Sequence, residues 1–215
     1  MNLVLLGPPG AGKGTQAVRV ASSCSLVHLS SGDILRAERK MNTELGRQAQ
    51  AYMDRGALVP DDLILSMMMD HIAKPPACDG FLLDGFPRTV VQAKGLDERL
   101  AARSLKLDAV VNMRVDDGEV TKRLTGRWSC PQDGHIYHEV FSPPVKSGVC
   151  DDCGSALTRR KDDTPDVVGQ RLATYHKQTE PLAAYYLERG ILKEVEAGGA
   201  VDQVAAAITE VCQAL

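Results

Sequence analysis

The chain alternates between two kinds of apolar pattern. Short, largely apolar stretches at 1–6, 26–29, 80–84, 107–115 and 191–195 predict five strands, those at 1–6 and 80–84 buried. Between them lie segments with helical spacing. One follows the glycine-rich loop after the first strand, one starts near Ile34, and others cover 42–53, 61–73, 89–101, 116–125 and 163–188, the last with a kink or break at Pro181. The final segment, 201–215, shows helical spacing in Val201, Val204, Ala205, Ile208, Val211 and Cys212. Ser30, Ser31, Gly32 and Asp33 read as a helix cap; Gly56 to Pro60 reads as a loop, and Pro75, Pro76 and Gly80 as a break. Strands alternating with helices predict an α/β fold of three layers around a central five-stranded parallel sheet. Ligands then lie beyond the carboxyl ends of the strands. The stretch 126–163 has no long period and gathers glycine, proline, cysteine and histidine, so it reads as an inserted subdomain.

The first strand runs into Gly7-Pro8-Pro9-Gly10-Ala11-Gly12-Lys13-Gly14-Thr15. Strand, glycine-rich loop, lysine and helix, in that order, are what a phosphate-binding P-loop requires. Glycines let the backbone aim several N–H groups into one concavity, and the helix start adds the positive end of a dipole. Lys13 places a charge against the outer phosphates, and the Thr15 hydroxyl can reach magnesium. Gly14 stands between that lysine and threonine, a variant of the usual motif.

Composition narrows the class. The 215 residues suffice for one large domain with small insertions, and 44% apolar with 25% charged residues is ordinary for a soluble globular protein. A net charge of −3 and an aromatic content of 4% speak against a nucleic-acid partner. No apolar run approaches membrane-spanning length and no signal-peptide pattern precedes the first strand, so a cytoplasmic protein is expected. Its six cysteines are then thiols or metal ligands rather than disulfides.

Arginines recur near predicted strand ends and hinges: Arg36, Arg88, Arg123, Arg127, Arg160 and Arg171. Any one of them alone suits a solvated helix face. Together they suit phosphoryl transfer, which rests on positioning and on stabilising charge spread over phosphate oxygens. Asp84 ends the third strand, where P-loop enzymes hold magnesium or its waters; the competing reading is a helix N-cap. In the insertion, Cys130-Pro131-Gln132-Asp133 faces Cys150-Asp151-Asp152-Cys153 with the spacing of a two-knuckle zinc site. Asp133 holds the knuckle position where a cysteine is usual, and His135 or His138 are alternatives for the fourth ligand. Four protein ligands describe a closed, structural site. The remaining cysteines, Cys24, Cys78 and Cys212, read as small hydrophobes.

Gly7 to Gln16, Ser31-Gly32-Asp33-Ile34-Leu35-Arg36, Leu82-Leu83-Asp84-Gly85-Phe86-Pro87-Arg88 and Arg159-Arg160-Lys161-Asp162-Asp163 together resemble the adenylate kinase family, in its long-lid bacterial type with a zinc-bearing lid. The likeness covers nearly the whole chain, in order. It implies a nucleoside monophosphate kinase catalysing ATP + AMP ⇌ 2 ADP with Mg2+, serving adenine nucleotide homeostasis. By resemblance, Gly10, Ala11, Gly12, Lys13, Gly14 and Thr15 cradle the ATP phosphates. Arg127, Ile136 and Tyr137 meet ATP from the lid, and a backbone group at Gly199 meets its adenine. Ser31, Arg36, Ala57, Leu58, Val59, Gly85, Phe86, Pro87, Arg88 and Gln92 hold AMP. Arg123 lies on the ATP phosphates, Arg160 and Arg171 bridge the reacting groups, and the catalytic set is Lys13, Asp84, Arg88, Arg123, Arg160 and Arg171. The lid ligands are Cys130, Asp133, Cys150 and Cys153, for Zn2+.

The resemblance further implies a core of 1–29, 60–125 and 164–215, a moving AMP-binding flap at 30–59 and a mobile lid at 126–163. The expected partners are ATP, AMP and ADP, with no nucleic acid or membrane, and the expected state is a monomer. Two departures from the family pattern are Ser31, where threonine is usual, and Gly199, where lysine is usual. Within the same chemistry a UMP/CMP kinase competes, but those show a short lid and asparagine after the Gly-Phe-Pro-Arg turn, whereas Thr89 follows Arg88 here. A nucleotide-binding regulator, or a zinc-ribbon nucleic-acid binder on a P-loop domain, is the alternative from another class; the acidic balance opposes it.

Overall fold

The computed structural model describes residues 1–55, 57–74 and 80–215; Gly56, Pro75, Pro76 and Cys78, named above, lie outside them. Strands β1 (Asn2–Leu6), β2 (Val27–Ser30), β3 (Phe81–Asp84), β4 (Ala109–Arg114) and β7 (Leu192–Glu196) form one sheet in the order β2-β3-β1-β4-β7. Every pairing in it is parallel, with Leu5 opposite Asp84 and Leu6 opposite Asn112. This is the five-stranded parallel sheet expected from the apolar runs.

Those runs are apolar because both faces of the central strands are covered. Along β1, Leu3 and Leu5 join one apolar cluster while Val4 and Leu6 join the other. The first cluster is closed by α1 (Lys13–Ser23) through Ala17, Val20 and Ala21, and by α9 (Val201–Gln213) through Val204, Ile208 and Cys212. The second is closed by α4 (Asp61–Ile72), α5 (Val90–Ala101) and α8 (Pro181–Glu188), through Met68, Leu96, Leu182 and Tyr186 among others. Helix, sheet and helix make the three layers, and the period-2 alternation of each strand decides which layer a residue meets. Cys212 is buried and Cys24 packs against the same cluster, as small hydrophobes do.

Several boundaries differ from the sequence expectation. Helix α2 (Ser31–Lys40) starts three residues before Ile34, because Ser30 Oγ accepts from the Asp33 N–H and caps it there. Thr43 in the same way caps α3 (Glu44–Asp54), and Asp116 caps α6 (Asp117–Thr125). The expected helix over 163–188 consists of a 3-10 turn at Lys161–Asp163, α7 (Pro165–Thr174), a π-helical turn at Tyr175–Thr179, and α8 starting at Pro181. Proline has no N–H to give the preceding turn, and the wider turn falls where that bond is missing. The insertion holds a small antiparallel pair, β5 (Arg127–Ser129) and β6 (Ile136–His138), over a cluster of Cys130, Tyr137, Cys150 and Leu157.

Candidate active site

The chain leaves β1 at Gly7, with φ of 139°. A Cβ there would sit 2.6 Å from the Met113 carbonyl oxygen, so the close approach of loop and β4 requires glycine. The loop delivers the chain to α1, whose N-cap Gly12 has no side chain to offer. Its first turn carries no acidic residue either. By contrast α2, α3, α5 and α6 are capped by Ser30, Thr43, Thr89 and Asp116. Among these helices α1 alone leaves its first N–H groups and its dipole to an outside anion. Lys13 Nζ donates to the Gly7 and Pro8 carbonyls at 2.7 Å each, holding its charge across the loop. Burial lowers the Lys13 pKa to about 8; Asp84 opposes this, and Arg88, Arg171 and Arg127 add to it.

The expected nucleotide residues converge on one cleft of about 1270 Å³. Gly10, Ala11, Gly12, Lys13, Gly14, Thr15, Arg127, Ile136, Tyr137 and Gly199 line it. So do Ser31, Arg36, Ala57, Leu58, Val59, Gly85, Pro87 and Gln92, together with Asp84, Arg88, Arg123, Arg160 and Arg171. Phe86 differs: its ring is fully buried in the core below the turn and does not line the cleft. The turn itself is tight. Gly85 has φ of 72°, and a Cβ on it would lie 3.0 Å from Ser31 Oγ. The Gly85 carbonyl accepts from Ser31 Oγ at 2.7 Å and from Arg88 Nε at 2.6 Å. Gln92 is buried, with Oε1 accepting from the Arg88 N–H at 2.7 Å and Nε2 donating to Asp61 Oδ1 at 2.7 Å.

The arginines are held rather than loose. Arg127 makes a two-pronged pair with Asp163 at 2.7 and 2.5 Å. Arg171 reaches Asp162 at 3.0 Å and Asp163 at 3.2 Å, and Arg160 Nε donates to Ser129 Oγ at 3.0 Å. Arg36 pairs with Asp33 one turn away on its own helix. Arg123 is tied to Glu119 and to the carbonyls of Ala197 and Gly198, which brings the 197–200 loop to the cleft. Burial lowers Arg88 to about 10, with Arg171 next to it adding to the effect. Arg160 is likewise lowered to about 10 by burial and by Arg127 and Arg36. Lys13 and seven arginines, Arg19 besides the six named, line the one cavity, alongside carboxylates that include Asp33, Asp84, Glu119 and Asp162. The carboxylates hold the guanidinium groups in place, and the N–H groups they leave free suit phosphate oxygens.

Asp84 is buried at the carboxyl end of β3. It caps no helix: the next helix, α5, is capped by Thr89. Its carboxylate stands over the start of α1, with Oδ2 3.5 Å from where a Cβ on Gly14 would be. Asp84 and Thr15 both line the cleft, and a carboxylate with a hydroxyl offers oxygen donors suited to Mg2+. His28 Nε2 lies 3.6 Å from the same Oδ2 and is otherwise without a hydrogen-bond partner among the described residues.

In the insertion, ligand atoms of Cys130, Asp133, Cys150 and Cys153 all lie within 4.8 Å of one another. The Cys130 and Cys153 sulfurs are 3.3 Å apart, and Cys150 Sγ is 3.1 Å from Asp133 Oδ2. Hydrogen bonds from Cys130 and from the His135 N–H hold the Asp133 carboxyl well below the usual carboxylate range. Of the alternative ligands, His138 faces away, with Nε2 on the Lys122 carbonyl. His135 pairs with Asp152 at 2.8 Å, in a second group with Cys150. Three thiols and one carboxylate converging on a point fit a tetrahedral Zn2+.

The family profile described as Adenylate kinase matches residues 5–191. The chain belongs to the adenylate kinase family. It is 46% identical to the adenylate kinase of Lachnospira eligens, over 98% of this chain and 99% of that one. The adenylate kinase of Streptomyces avermitilis is 48% identical over 95% of this chain and 93% of its own. That of Acidothermus cellulolyticus is 50% identical over 96% and 95%.

For an adenylate kinase family member, the residues that sequence reading passes over are the ones that hold the arginines and the amide in place. Asp162 and Asp163 close the motif that begins at Arg159, and their position directly after two arginines and a lysine is the available signal. Glu119 sits four residues before Arg123, a helical ion-pair spacing. Asp61 and His28 carry no local signal, since their partners are distant in sequence.

Proposed function

We propose that the cleft transfers a phosphoryl group between two bound nucleotides, ATP + AMP ⇌ 2 ADP. The observation that carries this is the convergence of the uncapped α1 N-terminus, Lys13 and the six expected arginines on one large cavity. The α1 amides, Lys13 and Thr15 take the ATP phosphates; Arg127, Ile136, Tyr137 and the Gly199 backbone meet the rest of ATP. Ser31, Arg36, Ala57 to Val59, Gly85, Arg88 and Gln92 take AMP. Arg88, Arg123, Arg160 and Arg171 neutralise charge on the moving group, which is where catalysis of this transfer resides. Asp84 and Thr15 would hold Mg2+, which would supply further neutralisation when bound. No side chain need act as a strong base, because the AMP phosphate is itself the nucleophile.

Water is the competing acceptor, and excluding it is the task of the flap at 30–59 and the lid at 126–163. The 3-10 turn at Lys161–Asp163 packs against α3, so the lid base and the flap already meet at the rim of the cleft. Initial rates across AMP, UMP, CMP and GMP, with ATP as donor, test the assignment. AMP is expected to be preferred by at least about 10²-fold; a preference for UMP would overturn it.

Cys130, Asp133, Cys150 and Cys153 would hold a Zn2+ in the lid. Its small apolar cluster cannot hold such an insertion alone, and a metal staple replaces the missing core. About one zinc per chain is expected in purified protein. Cys150→Ser should lose it and lower Tm by about 5–15 °C. A metal-free preparation with wild-type Tm contradicts the site. A cytoplasmic monomer fits the remaining observations: the expected nucleotide residues of one chain line a single cleft, and Cys24 and Cys212 form no disulfide.

A further inference from the structure

Gln92 lines the cleft, but its amide is gripped from behind by two groups of opposite character. Nε2 donates to Asp61 Oδ1 at 2.7 Å, and Oε1 accepts from the Arg88 backbone N–H at 2.7 Å. A carboxylate only accepts and a backbone N–H only donates. Turning the amide over would set its NH2 against the Arg88 N–H and its oxygen against the Asp61 carboxylate. Asp61 also accepts from Thr89 Oγ1 at 3.2 Å, and that hydroxyl in turn accepts from the Gln92 N–H at 3.1 Å. Asp61 itself does not line the cleft; it stands at the first turn of α4, behind Gln92.

A carboxamide can face a base in either of two orientations. Adenine offers a donor at its 6-amino group and an acceptor at N1. Hypoxanthine offers the reverse, an acceptor at O6 and a donor at N1. An amide free to turn serves both, whereas a locked one serves one. After its two internal bonds, Gln92 keeps one N–H and one oxygen lone pair, in an order that the lock fixes.

We propose that Asp61 is a specificity-determining positioning residue: by locking the Gln92 amide it makes the monophosphate site read a 6-amino purine and reject a 6-oxo purine. The inference rests on the reading of Gln92 as the residue facing the monophosphate's base. In Asp61→Asn the new amide can turn to suit either orientation of Gln92, and in Asp61→Ser the new hydroxyl can donate or accept. In both cases the carboxylate's veto is gone. The Arg88 N–H still favours the original orientation, so discrimination weakens without vanishing.

The test compares kcat/KM for AMP and for inosine monophosphate, with ATP as donor, in wild type, Asp61→Asn, Asp61→Ser and Gln92→Leu. Both substrates are turned over by the same folded fraction, so their ratio is blind to a loss of stability. The expected result is a fall in the AMP-to-inosine-monophosphate ratio of about tenfold in both Asp61 variants, the size of one hydrogen bond to a charged group. Gln92→Leu should lower kcat/KM for AMP by at least about tenfold. A ratio within twofold of wild type in both Asp61 variants, with AMP turnover lowered in Gln92→Leu, overturns the role of Asp61 alone. Unchanged AMP turnover in Gln92→Leu overturns the base-facing reading on which it rests.

Discussion

Replacing Lys13 with Met lowers the rate of phosphoryl transfer by about 10³-fold or more while AMP affinity stays within a few fold. Lys13 is held to the loop by two carbonyls and is surrounded by Arg88, Arg127 and Arg171, so its charge is fixed before any phosphate arrives. Methionine nearly keeps the length of the side chain and removes the charge. The same substitution has a second signature in nucleotide-free protein. The folded-state pKa of Lys13, about 8, lies below the 10.5 of a free lysine, so the unfolded chain holds this proton more tightly. Protonated Lys13 therefore costs stability below pH 8, and the cost is relieved as pH rises from about 8 toward 10.5. Thermal melts should show the variant gaining on wild type most near pH ~7 and least near pH ~10. Near-normal turnover in the variant, or a Tm difference that does not change with pH, would count against this account of Lys13.

Arg88→Ala is expected to lower kcat by about 10³-fold, and Arg88→Lys to restore no more than about a tenth of the loss. Arg88 Nε is fixed on the Gly85 carbonyl at 2.6 Å, and its carbonyl accepts from Thr179 Oγ1 at 2.8 Å. Backbone and side chain are thus both anchored, and the planar guanidinium still presents its remaining N–H groups to the cleft. A lysine has one point charge and no such fork. The AMP KM should also rise, by about tenfold, because Arg88 and Gln92 are joined through the Arg88 N–H. Steady-state kinetics with varied AMP separates the two effects. An unchanged kcat with a raised KM would reduce Arg88 to a binding residue.

Much of the molecule could be read from the chain because its signals are local. The strands announce themselves through apolar runs, since burial on both faces leaves no place for polar alternation. The P-loop is legible because glycines at 7, 10 and 12 and a lysine at 13 must be neighbours in sequence to shape one turn. The Cys130-to-Cys153 spacing is legible for the same reason, and the structure brings those side chains together. What the sequence hid depends on partners far apart. Asp61 meets Gln92 across 31 positions, and in sequence its carboxylate looks like any surface charge; Arg127 meets Asp163 across 36, a pairing that the motif around Asp163 does not announce. Phe86 shows another limit of local signals. It sits in the middle of a nucleotide-site motif, yet an aromatic ring at a strand end gains most from burial, and the core claims it. The π-helical turn before Pro181 is a compromise between helix continuity and a missing N–H, which periodicity cannot register.

The central claim is transfer between two nucleotides in one cleft, and product stoichiometry measures it directly. Purified protein is incubated with Mg2+, ATP and AMP, and ATP, ADP, AMP and inorganic phosphate are quantified over time. Two ADP should form for each ATP and AMP consumed, with no phosphate released and no ATP consumed when AMP is left out. One ADP and one phosphate per ATP, at a rate indifferent to AMP, would contradict the account.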